Sequence, residues 1–548
     1  MRIEVDCATA KVVEATPAER DWLRGYLTFN DPRARFTNGN PVIDLLDPMT
    51  DTFPAGFAIK AWRAGATRTH LSGRLDPITI ELVDVRASPP ERRDIPLEWL
   101  RDYQRKAVET ALARTRGIIQ MPTGAGKSVT AAGIIASVPD KWLVLVPQAD
   151  LLEQFAAHFR QRLGEEPGII GDGIWNPQRV TIATFQTLSR RMSKAKDHAA
   201  YELVRSVRGL IVDEVHQAAS GTFNFVLSKA INAYYRIGFS ATPLDRSDKK
   251  SIFVIAQLGG IIHRTTSAEL RALGMLADAR IKMVRVEQGS TAPTWPGVYG
   301  ECVVKSKPRN AVVVHMAAAA QKPALVFVSQ VRQGNALLPL IQKAGMRAEL
   351  VWGEDDTDQR RKALKDLVEG RLDVIVCSSV FQQAVDIPSL ASVVNGAGGS
   401  SVIQTLQRIG RGTRVTKDKT TFEVWDVLDD GHRWLRKHGA QRKDVYESEG
   451  YRVEVLDSIG AAPVVDTRKD EHGFVMGSAA QAAHRAAVRR EALQQLTGLD
   501  TLKNPRRGKI LRPHQVVGYA CTVCGAPNDC LPPECPGYMP DEAQGKLL

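Results

Sequence analysis

The sequence predicts an α/β protein with two parallel sheets in tandem. From about residue 97, short apolar runs bounded by Gly or Pro alternate with helical patterns: Gly117–Met121, Trp142–Val146, Val180–Ala183, Gly209–Val212 and Tyr235–Phe239. Strands that alternate with helices imply a parallel sheet covered on both faces. The alternation pauses over about 285–310, around Thr291–Pro296. It restarts with Ala324–Val328, Glu349–Val351, Asp373–Val376, Ala391–Val394 and Phe422–Asp426. Two sheets joined by a linker is the simplest organisation. A length of 548 residues allows three to four domains of about 150 residues each.

Residues 1–95 show no strong period. They end in the turn-rich, charged stretch Arg86–Pro96, which reads as a linker. Trp22, Trp62 and the strand-like run Ile78–Val83 are expected in a core. Asp150–Phe159 has apolar residues at helical spacing, and its Asp150/Glu153 pair resembles a capping box. After about 445 the pattern fades into a basic stretch. Residues 478–520 carry eight Lys and Arg against Glu491 and Asp500, a surplus of +6 and half the net charge of the chain.

Apolar residues make up 43% and charged residues 24% of the chain, which excludes a wholly disordered, fibrous or collagenous protein. No apolar run approaches the ~18 residues of a membrane span. Acidic residues near Met1 argue against an export signal, so a cytoplasmic, non-exported protein is expected. The net charge of +12 favours a polyanionic partner. Cys7, Cys302 and Cys377 are isolated, whereas Cys521, Cys524, Cys530 and Cys535 lie within fifteen residues. In a reducing compartment such a cluster points to metal rather than disulfides.

The strand Gly117–Met121 runs into Pro122, Thr123, Gly124, Ala125, Gly126, Lys127 and Ser128, followed by the helical Val129–Ile135. Glycines in such a turn let backbone N–H groups converge on phosphate oxygens, and the helix N-terminus adds positive potential. Lys127 would reach the β/γ-phosphates and Ser128 would ligate Mg²⁺. Met121 stands where the usual pattern has a small residue. About 85 residues on, Gly209–His216 ends an apolar strand in Asp213 and Glu214. Asp213 can hold Mg²⁺ through its water shell, and Glu214 can orient and deprotonate an attacking water. Alone, that tetrapeptide would read as a solvated strand end. Gly238–Pro243 follows another strand, and Gln407–Arg414 puts Arg408, Arg411 and Arg414 at i, i+3 and i+6 of a helix.

Taken together, these motifs resemble superfamily 2 helicases and translocases with a DEVH version of the DExH box. The similarity is greatest to the branch of XPB, phage UvsW-type helicases and restriction-enzyme motor subunits, over residues 97–430. Leu100–Gln104 resembles the upstream adenine-reading motif, with Arg101 and Gln104. Pro122–Ser128 resembles motif I, Leu145–Gln148 motif Ia, Thr181–Gln186 motif Ic, Asp213–His216 motif II and Ser240–Thr242 motif III. Pro243–Asp248 also resembles that branch. Leu325–Ser329 looks like motif IV, Val380 to Pro388 motif V and Gln407–Arg414 motif VI. In motif V, Ala384 replaces the usual Gly and Ser378-Ser379 the usual Thr, while Asp386, Ile387 and Pro388 follow the pattern.

The resemblance implies two RecA-like lobes, 97–285 and 300–445. An N-terminal accessory domain (1–95), for DNA recognition, would precede them, and a basic helical extension (446–515) and a zinc module (516–540) would follow. It implies ATP and Mg²⁺ as cofactors, with Lys127, Asp213, Glu214, Gln407, Arg411 and Arg414 catalytic. Asp386 would join the nucleotide-binding set, and His216, Ser240, Ala241 and Thr242 would couple the lobes. Gln148, Thr184, Gln186, Ser329, Ser378 and Ser379 would hold a nucleic-acid strand, mainly at its phosphates. The four clustered cysteines resemble a zinc knuckle with Cys in place of His. Free thiols, or a Cys₃His site with His514, are the alternatives. The expected activity is ATP-dependent unwinding or remodelling of duplex or branched DNA by a monomeric motor. A restriction or defence motor, an RNA helicase and a non-hydrolysing clamp are the rivals; no nuclease signature is evident.

Overall fold

The computed structural model describes residues 1–30, 42–66, 78–193, 197–217, 221–243, 251–352, 357–378, 387, 389–399 and 421–457. These form two compact units, one of Met1–Met121 with Gly126–Arg264 and one of the residues from Thr265 together with Pro122–Ala125.

The first unit opens with β1 (Arg2–Val5) and β2 (Thr9–Glu14), then the helix Pro17–Tyr26, whose Thr16 and Glu19 make a reciprocal capping box. A short antiparallel ribbon of β3 (Thr28–Asn30) and β4 (Val42–Asp44) follows. β5 (Thr52–Pro54) and β6 (Glu81–Asp84) complete a small sheet of order β5-β2-β1-β6. Trp62, Ile78, Ile80 and Leu82 are buried, whereas Trp22 is half-buried and stacks on Tyr26. The core of this N-terminal region is not its own. Phe57 and Trp62 share one apolar cluster with Ile252 and Ile255 of the helix Ser251–Leu258. The turn Ala55–Phe57 lies so close to that helix that a Cβ on Gly56 would come within 2.0 Å of the Ile255 carbonyl oxygen. Residues 1–95 are therefore built into the first unit rather than appended to it.

The expected linker Arg86–Pro96 is strapped down. The Arg86 guanidinium binds Asp84, donates to Thr115 Oγ1 (2.8 Å) and lies 4.1 Å over the Tyr234 ring. Arg92 Nε donates to the Tyr235 hydroxyl (2.8 Å), and the Arg93 N–H to the Ser137 carbonyl (2.9 Å). Sequence pattern reads turn residues and charge as loop, but it does not see which aromatic rings the charges will cover.

The first large sheet holds β7 (Arg116–Gln120), β8 (Trp142–Val146), β9 (Gly168–Gly171), β10 (Ile174–Asn176), β11 (Val180–Thr184), β12 (Gly209–Val212), β13 (Tyr235–Ser240) and β14 (Ile261–Arg264). Its order is β10-β9-β11-β8-β12-β13-β7-β14, parallel except for the β10 edge. β8, β11, β12 and β13 are buried along their whole length, so they read as unbroken apolar runs. One local expectation fails: Asp150 is the first helical residue and not the N-cap, because Ala149 takes that position with helical dihedrals.

The second unit contains β15 (Asp278–Val286), β16 (Ala324–Phe327), β17 (Ala348–Val351), β18 (Val374–Cys377), β19 (Ser392–Asn395), β20 (Thr421–Asp429) and β21 (Arg452–Leu456). Their order is β17-β18-β16-β19-β20-β15-β21, all parallel. This moves two expected boundaries. The first lobe does not run to 285, because β15 pairs with β20 along nine residues and buries Ala279, Ile281 and Met283 in the second core. Nor does a helical extension start at 446: the helix Arg433–Ser448 ends there, and β21 adds a strand beside β15. Among the described residues no helix is long and apolar enough to cross a membrane.

Two buried ion pairs tie the carboxyl end of β20 into the second core. Arg442 Nε donates to Asp426 Oδ2 (2.8 Å), which also accepts from the Tyr446 hydroxyl, while Asn395 Nδ2 donates to Asp426 Oδ1. Arg309 Nε donates to Asp429 Oδ1 (2.8 Å) and its Nη1 to the Gly396 carbonyl. Burial alone would lower the Arg442 pKa, but the Asp426 charge and hydrogen bond hold it well above the ordinary range. Removing one partner strands a buried charge, whereas removing both does not. Asp426→Ala is expected to destabilise the second unit by roughly 3–5 kcal/mol in urea unfolding, and Asp426→Leu with Arg442→Met by clearly less.

Candidate functional site

The first sheet's order brings three loops together. β13 lies between β7 and β12, so the turn after β7, the acid pair after β12 and the Ser240–Thr242 segment after β13 leave the same carboxyl edge side by side. Open parallel sheets bind ligands at that edge.

The turn after β7 needs its glycines. Gly124 and Gly126 have φ of 85° and 79°, and a Cβ on Gly126 would lie 2.4 Å from Gln104 Nε2. Gln104 is buried, accepts from the Arg101 N–H through Oε1 (3.1 Å) and turns its amide to the Gly126 carbonyl (3.5 Å). Lys127 and Ser128 then begin the helix Lys127–Ser137, whose first N–H groups have no intrahelical acceptor. Met121 is fully buried, and Thr130 Oγ1 lies 3.8 Å from its Sδ. A bulky residue is accepted there because it points into the core.

Glu214 is one of few non-glycine residues here with a left-handed backbone, φ 49°. Such a conformation costs of order 1–3 kcal/mol and persists only where neighbours impose it. Its neighbours do. Lys127 Nζ donates to Glu214 Oε1 at 2.6 Å, and His216 Nδ1 lies 3.1 Å from Oε2. His216 Nδ1 is also 3.1 Å from Ser240 Oγ, which in turn accepts from the Thr242 N–H (3.2 Å). Gln120 Nε2 donates to the Ala241 carbonyl (3.0 Å). Lys127, Glu214, His216, Ser240 and Thr242 thus form one polar chain across three strand ends.

Charge follows geometry. Burial would depress the Lys127 pKa, but Glu214 and then Asp213 outweigh it and raise it. Burial would raise Glu214, but the Lys127 charge and the His216 hydrogen bond hold it well below the usual carboxylate range. Asp213 is pushed up to about 6 by burial and the Glu214 charge, against Lys127. Its Oδ1 is buried with no hydrogen-bond partner among the described residues. An unmatched buried carboxylate oxygen next to a helix N-terminus and a lysine fits a nucleoside triphosphate with a divalent cation. Lys127 and the turn would hold the phosphates, and Ser128 and Asp213 the cation.

The expected nucleic-acid contacts divide. Gln148, half-buried, and Gln186, exposed with its amide on the Pro147 carbonyl, lie beyond the carboxyl ends of β8 and β11. Thr184 is buried and donates to Thr187 Oγ1 (2.8 Å), and Ser378 is buried beyond β18. Both are less accessible than their motifs imply, because motif position carries no information on burial. Ser329 is exposed and shares a hydrogen bond with the Tyr299 hydroxyl. Gln120 and Tyr299 escaped the sequence reading. Gln120 had a signal, as a polar side chain at the end of an apolar strand just before the phosphate turn; Tyr299 had none. Ser379, Asp386, Gln407, Arg411, Arg414, Cys521, Cys524, Cys530 and Cys535 lie outside the described residues.

Two family models match the chain: the type III restriction enzyme res subunit over residues 98–245 and the helicase conserved C-terminal domain over residues 308–416. These helicase domains, with the named helicase relatives, support an ATP-dependent helicase. The chain is related to XPB and to UvsW. It is 28% identical over 367 residues to the DNA 3'-5' translocase XPB2 of Sulfurisphaera tokodaii, across 59% of this chain and 80% of that one. It is 25% identical over 511 residues to the ATP-dependent DNA helicase uvsW of Enterobacteria phage T4, across 82% and 96%. Its fold is similar to that of the type ISP restriction-modification enzyme LlaBIII bound to DNA, with a TM-score of 0.50, 14% identity and coverage of 69% of this chain and 33% of that one.

Lys127→Ala removes the cation that pairs with Glu214 and would meet the phosphates. It is expected to abolish ATP hydrolysis and to weaken nucleotide binding, read by phosphate release and by titration with a fluorescent nucleotide.

Proposed function

We propose that this chain hydrolyses ATP to move along DNA and to unwind or remodel duplex or branched substrates. The observation that carries the reading is the polar chain from Lys127 through Glu214 and His216 to Ser240. It joins a phosphate-binding turn, a candidate base and the segment expected to couple hydrolysis to strand grip. Glu214, kept ionised, accepts the proton of the attacking water, and Lys127 neutralises phosphate charge. Ser128 and Asp213 would hold Mg²⁺, which would supply positive charge against the phosphates. Arg411 and Arg414 stabilise the transition state, Gln407 reads the γ-phosphate and Asp386 completes the nucleotide set.

DNA as partner is supported by the names of the two relatives and by the +12 charge of this chain. Ser329, Gln148 and Gln186 remain the contacts with geometry in their favour, and the N-terminal region would add recognition of DNA structure. A second reading, the motor of a restriction complex, is favoured by the match over residues 98–245 and would need a nuclease on another subunit.

The test is ATP turnover with single-stranded, duplex, forked and four-way DNA and with RNA. DNA should stimulate turnover, most strongly with a branch, and RNA should not. Glu214→Gln should still bind nucleotide but lose turnover by orders of magnitude. Stimulation by RNA alone, or near-normal turnover of Glu214→Gln, would overturn the reading.

Zinc belongs to the same proposal. Cys521, Cys524, Cys530 and Cys535 have the ligand type and spacing for one tetrahedral Zn²⁺. Elemental analysis is expected to find about one equivalent per chain, lost on truncation after about residue 515. Deletion from about residue 478 removes eight basic side chains and should flatten the salt dependence of DNA binding.

A further inference from the structure

Residues 287–304, within the stretch of about 285–310 where the strand–helix alternation pauses, build a structure of their own. The helix Trp295–Tyr299 and the π-helical turn Gly300–Val304 bury Val298, Cys302 and Val303 against Leu435 of the helix Arg433–Ser448. The insert is tightly fastened. A Cβ on Gly431 would lie 1.9 Å from the Gln288 carbonyl oxygen, and Asn310 Nδ2 donates to the Val304 carbonyl (3.1 Å). The Tyr299 hydroxyl donates to the Ala397 carbonyl (2.6 Å) and meets Ser329. Since β15, β16, β19 and β20 run parallel, the residues after them share one sheet edge, the carboxyl edge where such sheets take ligands.

On that edge the rings gather. The Trp295 centroid lies 5.4 Å from Tyr299, 4.5 Å from His438 and 6.4 Å from Trp434, and Trp434 lies 5.1 Å from His432. A purely local core would bury them, yet Trp295, Tyr299 and Trp434 each keep part of the ring at the surface. In the adjoining segments Lys305, Lys307, Arg332, Arg433 and Lys437 are exposed with no ion-pair partner among the described residues, and the Arg433 guanidinium lies 4.9 Å over Trp434. Of the nearby acids, Asp429 pairs with Arg309 and Asp430 with Arg285 and Arg436, Glu301 accepts from the Ser290 hydroxyl, and Glu287 is exposed, so the cations of these segments outnumber the acids left to them. Half-buried aromatic rings beside exposed cations match a nucleic-acid strand, with π-faces for bases and charge for phosphates.

We propose that Trp295 and Trp434 form a stacking platform for an unpaired base of the DNA strand, with the adjoining cations on its phosphates. The inference rests on the reading of the chain as a DNA motor and adds a base contact to it. Stacking tolerates any sequence, because every base has a π-face.

The test compares the full-length protein on an oligothymidine strand and on an abasic strand of equal length. Wild type should bind the base-bearing strand about tenfold more tightly. Trp295→Leu with Trp434→Leu should bring the ratio close to one while abasic binding persists. An unchanged ratio overturns the platform. Wild type that binds both strands alike overturns the platform alone, and wild type that binds neither overturns the motor reading with it. A second measurement needs no variant: a strand with 5-bromodeoxyuridine, irradiated on the wild-type protein, should crosslink to Trp295 or Trp434. Adducts solely elsewhere contradict the proposal.

Discussion

The ion pair between Lys127 and Glu214 is the constraint around which the first unit is arranged. Two opposite charges, 2.6 Å apart and mostly buried, are tolerable only because each answers the other. To meet, they must come from strands separated by β13, and Glu214 must take a left-handed backbone conformation. His216 and Ser240 hold the second carboxylate oxygen and keep that conformation in place. The lysine thus lies against the candidate base itself. On the proposed reading a triphosphate would draw the lysine to its phosphates and free Glu214 for water, so that binding and activation would be one event.

Much of this site was legible in sequence, for a physical reason. Phosphate turns and acid pairs at strand ends are local, so Gly124, Gly126, Lys127, Asp213 and Glu214 announce themselves by residue type and flanking period. The parallel α/β class was legible too, because fully buried strands are unbroken apolar runs. What sequence could not show depends on distant partners. Thr184 and Ser378 sit in the right motifs, yet their surroundings bury them. Arg86 and Arg92 read as linker charges until the neighbouring tyrosines of β13 and the residue before it are brought beside them. The unit boundary was misplaced because β15 has the alternation of any strand, and nothing in its own residues says which sheet it joins.

The second unit spends its buried polarity differently. Asp426 and Asp429 close β20, and Arg442 and Arg309 reach carbonyls just past β19 as well as the carboxylates. The segment Asn395–Gly399 is thereby fixed from below, and Tyr299 fixes it from the insert. A rigid floor at that edge suits a surface that has to grip and release a strand without losing its own shape.

The most direct test of the account is a double-mutant cycle on affinity for a non-hydrolysable ATP analogue, with wild type, Lys127→Ala, Glu214→Gln and the double variant. If Glu214 competes with phosphate for Lys127, Glu214→Gln should tighten binding several-fold while the lysine is present. The gain should shrink when residue 127 is alanine. Equal gains in both backgrounds would contradict the account, since they would show that the pair in the free protein plays no part in nucleotide binding.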